Sequence, residues 1–146
     1  MPTAASHDRT IFLETFGCQM NALDSELVES QLRALGYRFT TDREQAGIVL
    51  FNTCSVRQHA EDKVHARIGD FKPIKRRRPN IIVGVLGCMA ERDGQALLKQ
   101  YPQLDLVCGP GELDKVPLLL ENVLATRLPQ MALQGNTNRR TGTLEA

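Results

Sequence analysis

Ile81-Ile-Val-Gly-Val-Leu-Gly-Cys88 is the stretch on which the fold turns. Its apolar run is nearly continuous rather than alternating. That is how a strand reads when helices bury it on both faces of a parallel sheet. Working outward, a basic loop, Lys75-Arg-Arg-Arg78-Pro79, precedes it, and a helical pattern over residues 91–100 comes after it. Two upstream stretches repeat the arrangement. Ile48-Val-Leu-Phe-Asn-Thr-Cys54 and Ile11-Phe-Leu-Glu-Thr-Phe-Gly-Cys18 are again short apolar runs that end in a cysteine and give way to a helical pattern.

The rest of the chain alternates in the same way. Over residues 22–35, Leu23, Leu27, Val28, Leu32 and Leu35 recur at helical spacing, and Gly36 fits the stop. A short edge strand over 37–40 and one helical turn over 42–46 lead into the strand at 48–52. Residues 55–71 read as a polar helix carrying Val56, Val64, Ile68 and Phe71, which Pro73 should end. A short strand over 104–108 precedes a last helix over 112–125, with Leu113, Val116, Leu120, Val123 and Leu124 facing inward. From Arg127 the composition turns to Gln, Asn, Thr, Gly and Arg and reads as a linker.

Strands separated by helices imply βαβ units. The expected fold is α/β, a mostly parallel sheet of about four or five strands flanked by helices in a Rossmann- or flavodoxin-like three-layer sandwich. The expected organisation is a tail over 1–10, one domain over 11–125 and a linker over 126–146.

Composition narrows the function classes. The chain has 146 residues, 42% hydrophobic and 24% charged, with a formal net charge of +1. That length supports one ordinary core without a disulfide scaffold. Near-neutral charge supplies no global field toward nucleic acid or membrane. Residues 1–10 contain no apolar signal segment and no run is long enough to cross a bilayer, so the expected compartment is the reducing cytoplasm, with no membrane partner. Four cysteines there read as ligands, nucleophiles or buried hydrophobes rather than disulfide partners.

Parallel strands deliver their C-terminal ends to one edge of a sheet, where α/β proteins build their sites. Cys18, Cys54 and Cys88 can therefore meet there, although 36 and 34 residues separate them. Three thiols at one edge suit a metal or iron–sulfur centre. Gly17 and Gly87 let the backbone approach a ligand closely, and the helix starts just beyond favour thiolates. Three simple cysteine hydrophobes are the bland alternative. A structural zinc module completed by Cys108 or a histidine, and a metal-free flavodoxin-like binding domain, are two others. The last lacks a Gly-rich phosphate loop after the first strand. Cys108, in a shorter run before Gly109-Pro110-Gly111, reads as buried and structural. Asn21 and Asn52 flank cysteines, as cap and turn residues, as hydrogen-bonding partners of the cysteine loops or as residues that orient substrate. Arg57 and Lys63 read as a solvated helix face, with pairing to a negative cluster or to RNA phosphate as the alternative. Lys75–Arg78 is the one dense basic run, an exposed loop or a phosphate contact. His59 and His65 share no helix face and do not read as ligands.

At Phe16-Gly-Cys-Gln-Met-Asn21, Asn52-Thr-Cys-Ser-Val-Arg57 and Gly87-Cys-Met-Ala90 the chain resembles the N-terminal domain of the methylthiotransferases. The wording around the first two cysteines is most similar to the tRNA branch, which makes 2-methylthio-N6-isopentenyladenosine 3′ of the anticodon. A ribosomal-protein or other tRNA branch is the alternative. The resemblance covers roughly residues 11–125 and extends to Ala60-Glu-Asp-Lys-Val64, Cys108-Gly-Pro110, Leu113 and Val116-Pro117. It implies that Cys18, Cys54 and Cys88 hold an auxiliary 4Fe-4S cluster whose remaining iron carries the sulfur to be transferred. It also implies a second 4Fe-4S cluster and S-adenosylmethionine in a radical domain, and an RNA-binding TRAM barrel. The Cys-x3-Cys-x2-Cys motif of the radical domain does not occur in this chain. The expectation is a monomeric cluster-binding domain that does not turn over alone, with tRNA as the partner of the full-length enzyme and an unspecified sulfur donor.

Overall fold

The structure is a computed structural model that describes residues 10–16, 19–53 and 58–133, with backbone alone for 19–22 and 58–60. Six strands form one sheet: β1 (Thr10–Thr15), β2 (Arg38–Phe39), β3 (Ile48–Thr53), β4 (Ile82–Gly87), β5 (Leu106–Cys108) and β6 (Gln130–Ala132). Their order is β2-β1-β3-β4-β5-β6, and every neighbouring pair is parallel. Among the described residues, four α-helices flank the sheet: α1 (Gln19–Ala34), α2 (Gln58–Arg77), α3 (Cys88–Gln100) and α4 (Val116–Thr126).

The central strands are buried along their whole length, so their side chains alternate between two cores. On one face, Val49, Phe51, Val83 and Val85 pack with Val64, Ile68 and Phe71 of α2 and with Met89, Ala90 and Leu97 of α3. Phe51 sits between the rings of Phe16 and Phe71, at centroid distances of 6.1 and 6.0 Å. On the other face, Ile11, Ile48, Leu50, Ile82 and Leu86 pack with Val28 and Leu32 of α1 and with Val116, Leu119, Leu120 and Val123 of α4. Each such side chain contributes about 1.5–3 kcal/mol when fully buried, which fixes the three layers.

Several expectations need correction. Leu23, Leu27 and Leu35 do not enter the core; they are 65, 51 and 57% exposed. The inward stripe of α1 is Ser25, Val28 and Leu32 instead. Pro73 does not end its helix, because α2 continues to Arg77. The tie between Lys75 and Asp105 holds the turn beyond the proline, and packing of Ile68 and Phe71 outweighs one lost backbone bond. Lys75, Arg76 and Arg77 are therefore helical rather than a loop. The sheet also has a sixth strand where the sequence reads as linker. Gln130, Met131 and Ala132 are buried against β5, with Gln130 N–H donating to Asp105 O and Gly109 N–H to Ala132 O, both at 2.9 Å. The helix α4 lies on the face of α1, whereas α2 and α3, which lead in the same direction across the sheet, lie on the other face. The β5–α4–β6 crossover is thus opposite in hand to its neighbours, against the rule that parallel crossovers share one hand. Residues 134–146 of the expected linker lie outside the described residues.

Candidate functional site

Strands β1, β3 and β4 are consecutive in the sheet, and their C-terminal ends are in register. Thr15 is opposite Asn52, Asn52 is opposite Leu86, and Thr53 is opposite Gly87. The ladder continues one step further, with Phe16 N–H donating to Asn52 O at 2.8 Å. In sequence, Cys54 comes directly after Thr53 and Cys88 directly after Gly87, while Cys18 is three residues beyond Thr15. Neighbouring strands lie about 4.7–4.9 Å apart, so the three strands that lead to the cysteines end side by side. The boundary between β1 and β3 is also where the chain reverses its direction across the sheet. That is the switch point at which open α/β sheets bind ligands, beyond the strand ends. Cys18, Cys54, Gly17, Arg57 and the side chains of Asn21 and His59 lie outside the described residues.

Cys88 is described. It is exposed and is the first residue of α3. A thiolate there gains from the N-terminal end of the helix dipole, worth about 0.3–1 kcal/mol. Gly87 makes the turn with φ 98° and ψ −161°, a conformation nearly confined to glycine. A Cβ at Gly87 would lie 2.4 Å from Thr53 O and 2.9 Å from Asn52 Oδ1. This close approach draws the end of β4 against the end of β3.

Cys108 ends β5 opposite Leu86, at the same edge, but turns into the α1/α4 core. Its Sγ donates to Glu112 O at 3.1 Å. Burial pushes its thiol well above the ordinary range, with Glu112 and Asp114 adding to the effect. A thiol kept neutral there is a structural residue.

Polar contacts that no sequence pattern announces frame this edge. Asn52 Nδ2 donates to Ser25 Oγ at 2.9 Å, and Ser25 Oγ lies 2.7 Å from Thr15 Oγ1. Thr53 Oγ1 donates to Leu86 O at 2.7 Å. Arg92 binds Glu61 with both nitrogens, at 2.8 and 2.9 Å, tying the first turn of α2 to α3. The hydrogen bonds from Arg92 hold the carboxyls of Glu61 and Asp93 below their ordinary values. The visible signal for the first of these was Asn52, a polar residue inside an otherwise apolar strand. Ser25 lies on the buried stripe of α1, three and seven residues before Val28 and Leu32.

The basic run is remote from this edge. Lys75 pairs with Asp105, and Arg78 donates to Ala46 O at 2.6 Å and to Glu44 O at 3.2 Å. Those acceptors precede β5 and β3, at the N-terminal edge of the sheet. Since α2 has 20 residues, it carries the run about 30 Å along the domain. Lys63 is exposed, and His65 Nδ1 lies 2.6 Å from Tyr101 Oη. A groove of about 440 Å³ includes Arg43 and Arg67, but these pair with Asp70 and Glu14. No described helix is long and apolar enough to cross a membrane.

The sequence matches the family described as uncharacterized protein family UPF0004 over residues 10–109. It is 45% identical over 108 residues to a tRNA-2-methylthio-N(6)-dimethylallyladenosine synthase of Syntrophotalea carbinolica, covering 74% of this chain and 25% of that protein. It is 40% identical to proteins of the same name from Rhodopirellula baltica, over 88% of this chain and 27% of the relative, and from Staphylococcus aureus, over 83% and 24%. The chain thus spans about a quarter of the length of these relatives. A sheet edge at which the three strands leading to cysteines end side by side, a match across most of the domain and three relatives of one name agree: the chain belongs to the UPF0004 family.

Proposed function

We propose that this domain is the auxiliary-cluster domain of a radical S-adenosylmethionine tRNA methylthiotransferase, with Cys18, Cys54 and Cys88 as the ligands of one 4Fe-4S cluster. The observation that carries the reading is the register of β1, β3 and β4, whose aligned ends lead into the three cysteines at the switch point. The donor set fits the group. Iron–sulfur clusters take thiolates, Cys88 stands exposed at a helix start, and the Gly87 turn leaves room where a side chain would collide with β3. When bound through three protein thiolates, the cluster supplies one iron open to exogenous sulfur. The chain's own residues hold the thiolates, close the sheet face behind them and keep Cys108 neutral and out of the ligand set.

In the full-length enzyme the substrate is a tRNA adenosine already carrying an N6-isopentenyl group, and the product is its 2-methylthio derivative in the cytoplasm. The isolated chain is a monomer that binds a cluster and does not turn over. Anaerobic reconstitution and then counting of iron, acid-labile sulfide and zinc tests this reading. The wild type and Cys108→Ala should hold about four irons and four sulfides, and Cys18→Ala, Cys54→Ala and Cys88→Ala should each lose them. Zinc in place of iron, in a colourless protein, would establish the structural zinc module instead.

A further inference from the structure

The strand β3 is buried along its length, yet it carries Asn52 facing the α1 side, next on that face to Leu50. A strand needed only for packing would continue the apolar row there, since a buried amide must find partners or lose its hydration uncompensated. The described partners of Asn52 lie on the segments that carry the cysteines. Its Nδ2 donates to Ser25 Oγ at 2.9 Å, on α1, the helix that comes after Cys18. Ser25 Oγ in turn meets Thr15 Oγ1 at 2.7 Å, on β1, the strand that precedes Cys18. On the opposite side of the amide, Oδ1 lies where a Cβ on Gly87 would be 2.9 Å away, directly before Cys88. Asn52 itself stands two residues before Cys54. One fully buried side chain therefore bonds to the helix after Cys18, belongs to the strand before Cys54 and fills the space that a side chain at Gly87, before Cys88, would need.

From this we infer that Asn52, held by Ser25, is the positioning residue that fixes the three cysteine-bearing segments relative to one another. It sets the geometry in which the thiolates grip their cluster. The inference rests on the reading of Cys18, Cys54 and Cys88 as cluster ligands. Asn52 does not act as a ligand; it acts through the backbone on either side of it. Ser25 removes the rotational freedom of the amide by accepting from Nδ2, and Thr15 closes the chain of hydrogen bonds onto β1.

The test compares anaerobically reconstituted wild type with Asn52→Ala, Ser25→Ala, Thr15→Val and the conservative Ser25→Thr. Val123→Ala, in the same core layer but within α4, serves as a control for lost stability alone. The readouts are iron and sulfide per chain, the rate of iron loss to a chelator, the electron paramagnetic resonance signal of the reduced cluster, and the melting temperature of the metal-free chain. Ser25→Ala should release iron about ten-fold faster than wild type with an altered resonance signal, the factor expected from one buried hydrogen bond. Thr15→Val should change in the same direction, and Ser25→Thr should restore both readouts. Val123→Ala should melt lower yet release iron at the wild-type rate. Wild-type release rates and signals in Ser25→Ala, or equally fast release from Val123→Ala, would overturn the inference. A wild type that takes up no iron would instead overturn the proposed function on which it rests. If Asn52→Ala does not fold, the Ser25 and Thr15 variants decide.

Discussion

Gly87 concentrates the local demands of the site. Its φ of 98° places it where L-residues are strained, and Thr53 O stands 2.4 Å from where a Cβ would be. Gly36, at φ 99°, shares the strain but has open space around it. The two glycines therefore separate conformation from collision. Gly36→Ala should lower stability by about 1–2 kcal/mol, whereas Gly87→Ala should lose at least about 3 kcal/mol because the ends of β3 and β4 must also part. Urea titration of the metal-free variants measures both. The cysteines divide in the same way. In the native chain Cys88, exposed, should react with iodoacetamide at pH 8, while Cys108, buried and held protonated, should react only after denaturation. Peptide mapping of the alkylated protein distinguishes them. Asn52 was legible as an oddity in an apolar run, but the hydroxyl it needs lies 27 positions away in the chain and no local pattern names it.

Among the elements, the helices after β3 and β4 are latched near their starts by Glu61 and Arg92. Arg92 is about half exposed, so solvent discounts the pair, and Arg92→Ala should cost about 1 kcal/mol at neutral pH. Arg92 holds the Glu61 carboxyl below its ordinary value of 4.5. The latch thus adds stability above that pH and loses it as the pH falls through the lowered value. Urea midpoints of wild type and Arg92→Ala should differ at pH 7 and draw together as the pH falls below 4.5. The sequence pattern located the strands well, because burial on both faces prints as a continuous apolar run. It placed Pro73 as a helix end and counted three leucines that stay exposed in the apolar spacing of α1. Both are local rules that packing overrode. The proline's lost bond is small beside the burial of Ile68 and Phe71, and the α1 stripe that meets the sheet and α4 is confined to Ser25, Val28 and Leu32.

For the whole molecule, β6 completes the sheet from a segment that reads as linker. Met131 and Leu133 are nearly fully buried there. A chain ending at Thr126 should lose at least about 3 kcal/mol through those two side chains, seen as a lower urea midpoint, and leaves β5 as an open edge. The basic run belongs to the edge of the sheet away from the cysteines, tied by Lys75 and Arg78 to backbone and to Asp105. Arg76→Ala combined with Arg77→Ala should therefore leave iron uptake on reconstitution unchanged, checked by iron and sulfide counts. The purified chain, loaded with iron and supplied with S-adenosylmethionine, reductant and isopentenylated tRNA, should form no methylthio product by nucleoside mass spectrometry.

By itself the sequence determined the class of fold and the three connections that carry the cysteines. Both come from burial, and burial is written residue by residue in the apolar runs and in the residues that close them. Only the tertiary structure decided that β1, β3 and β4 are neighbours with aligned ends. It alone showed that Asn52 reaches α1, that the arginines lie at the far edge, and that three residues past the last helix join the sheet. Those outcomes depend on contacts between segments tens of residues apart, whose energies have no local signature in the chain.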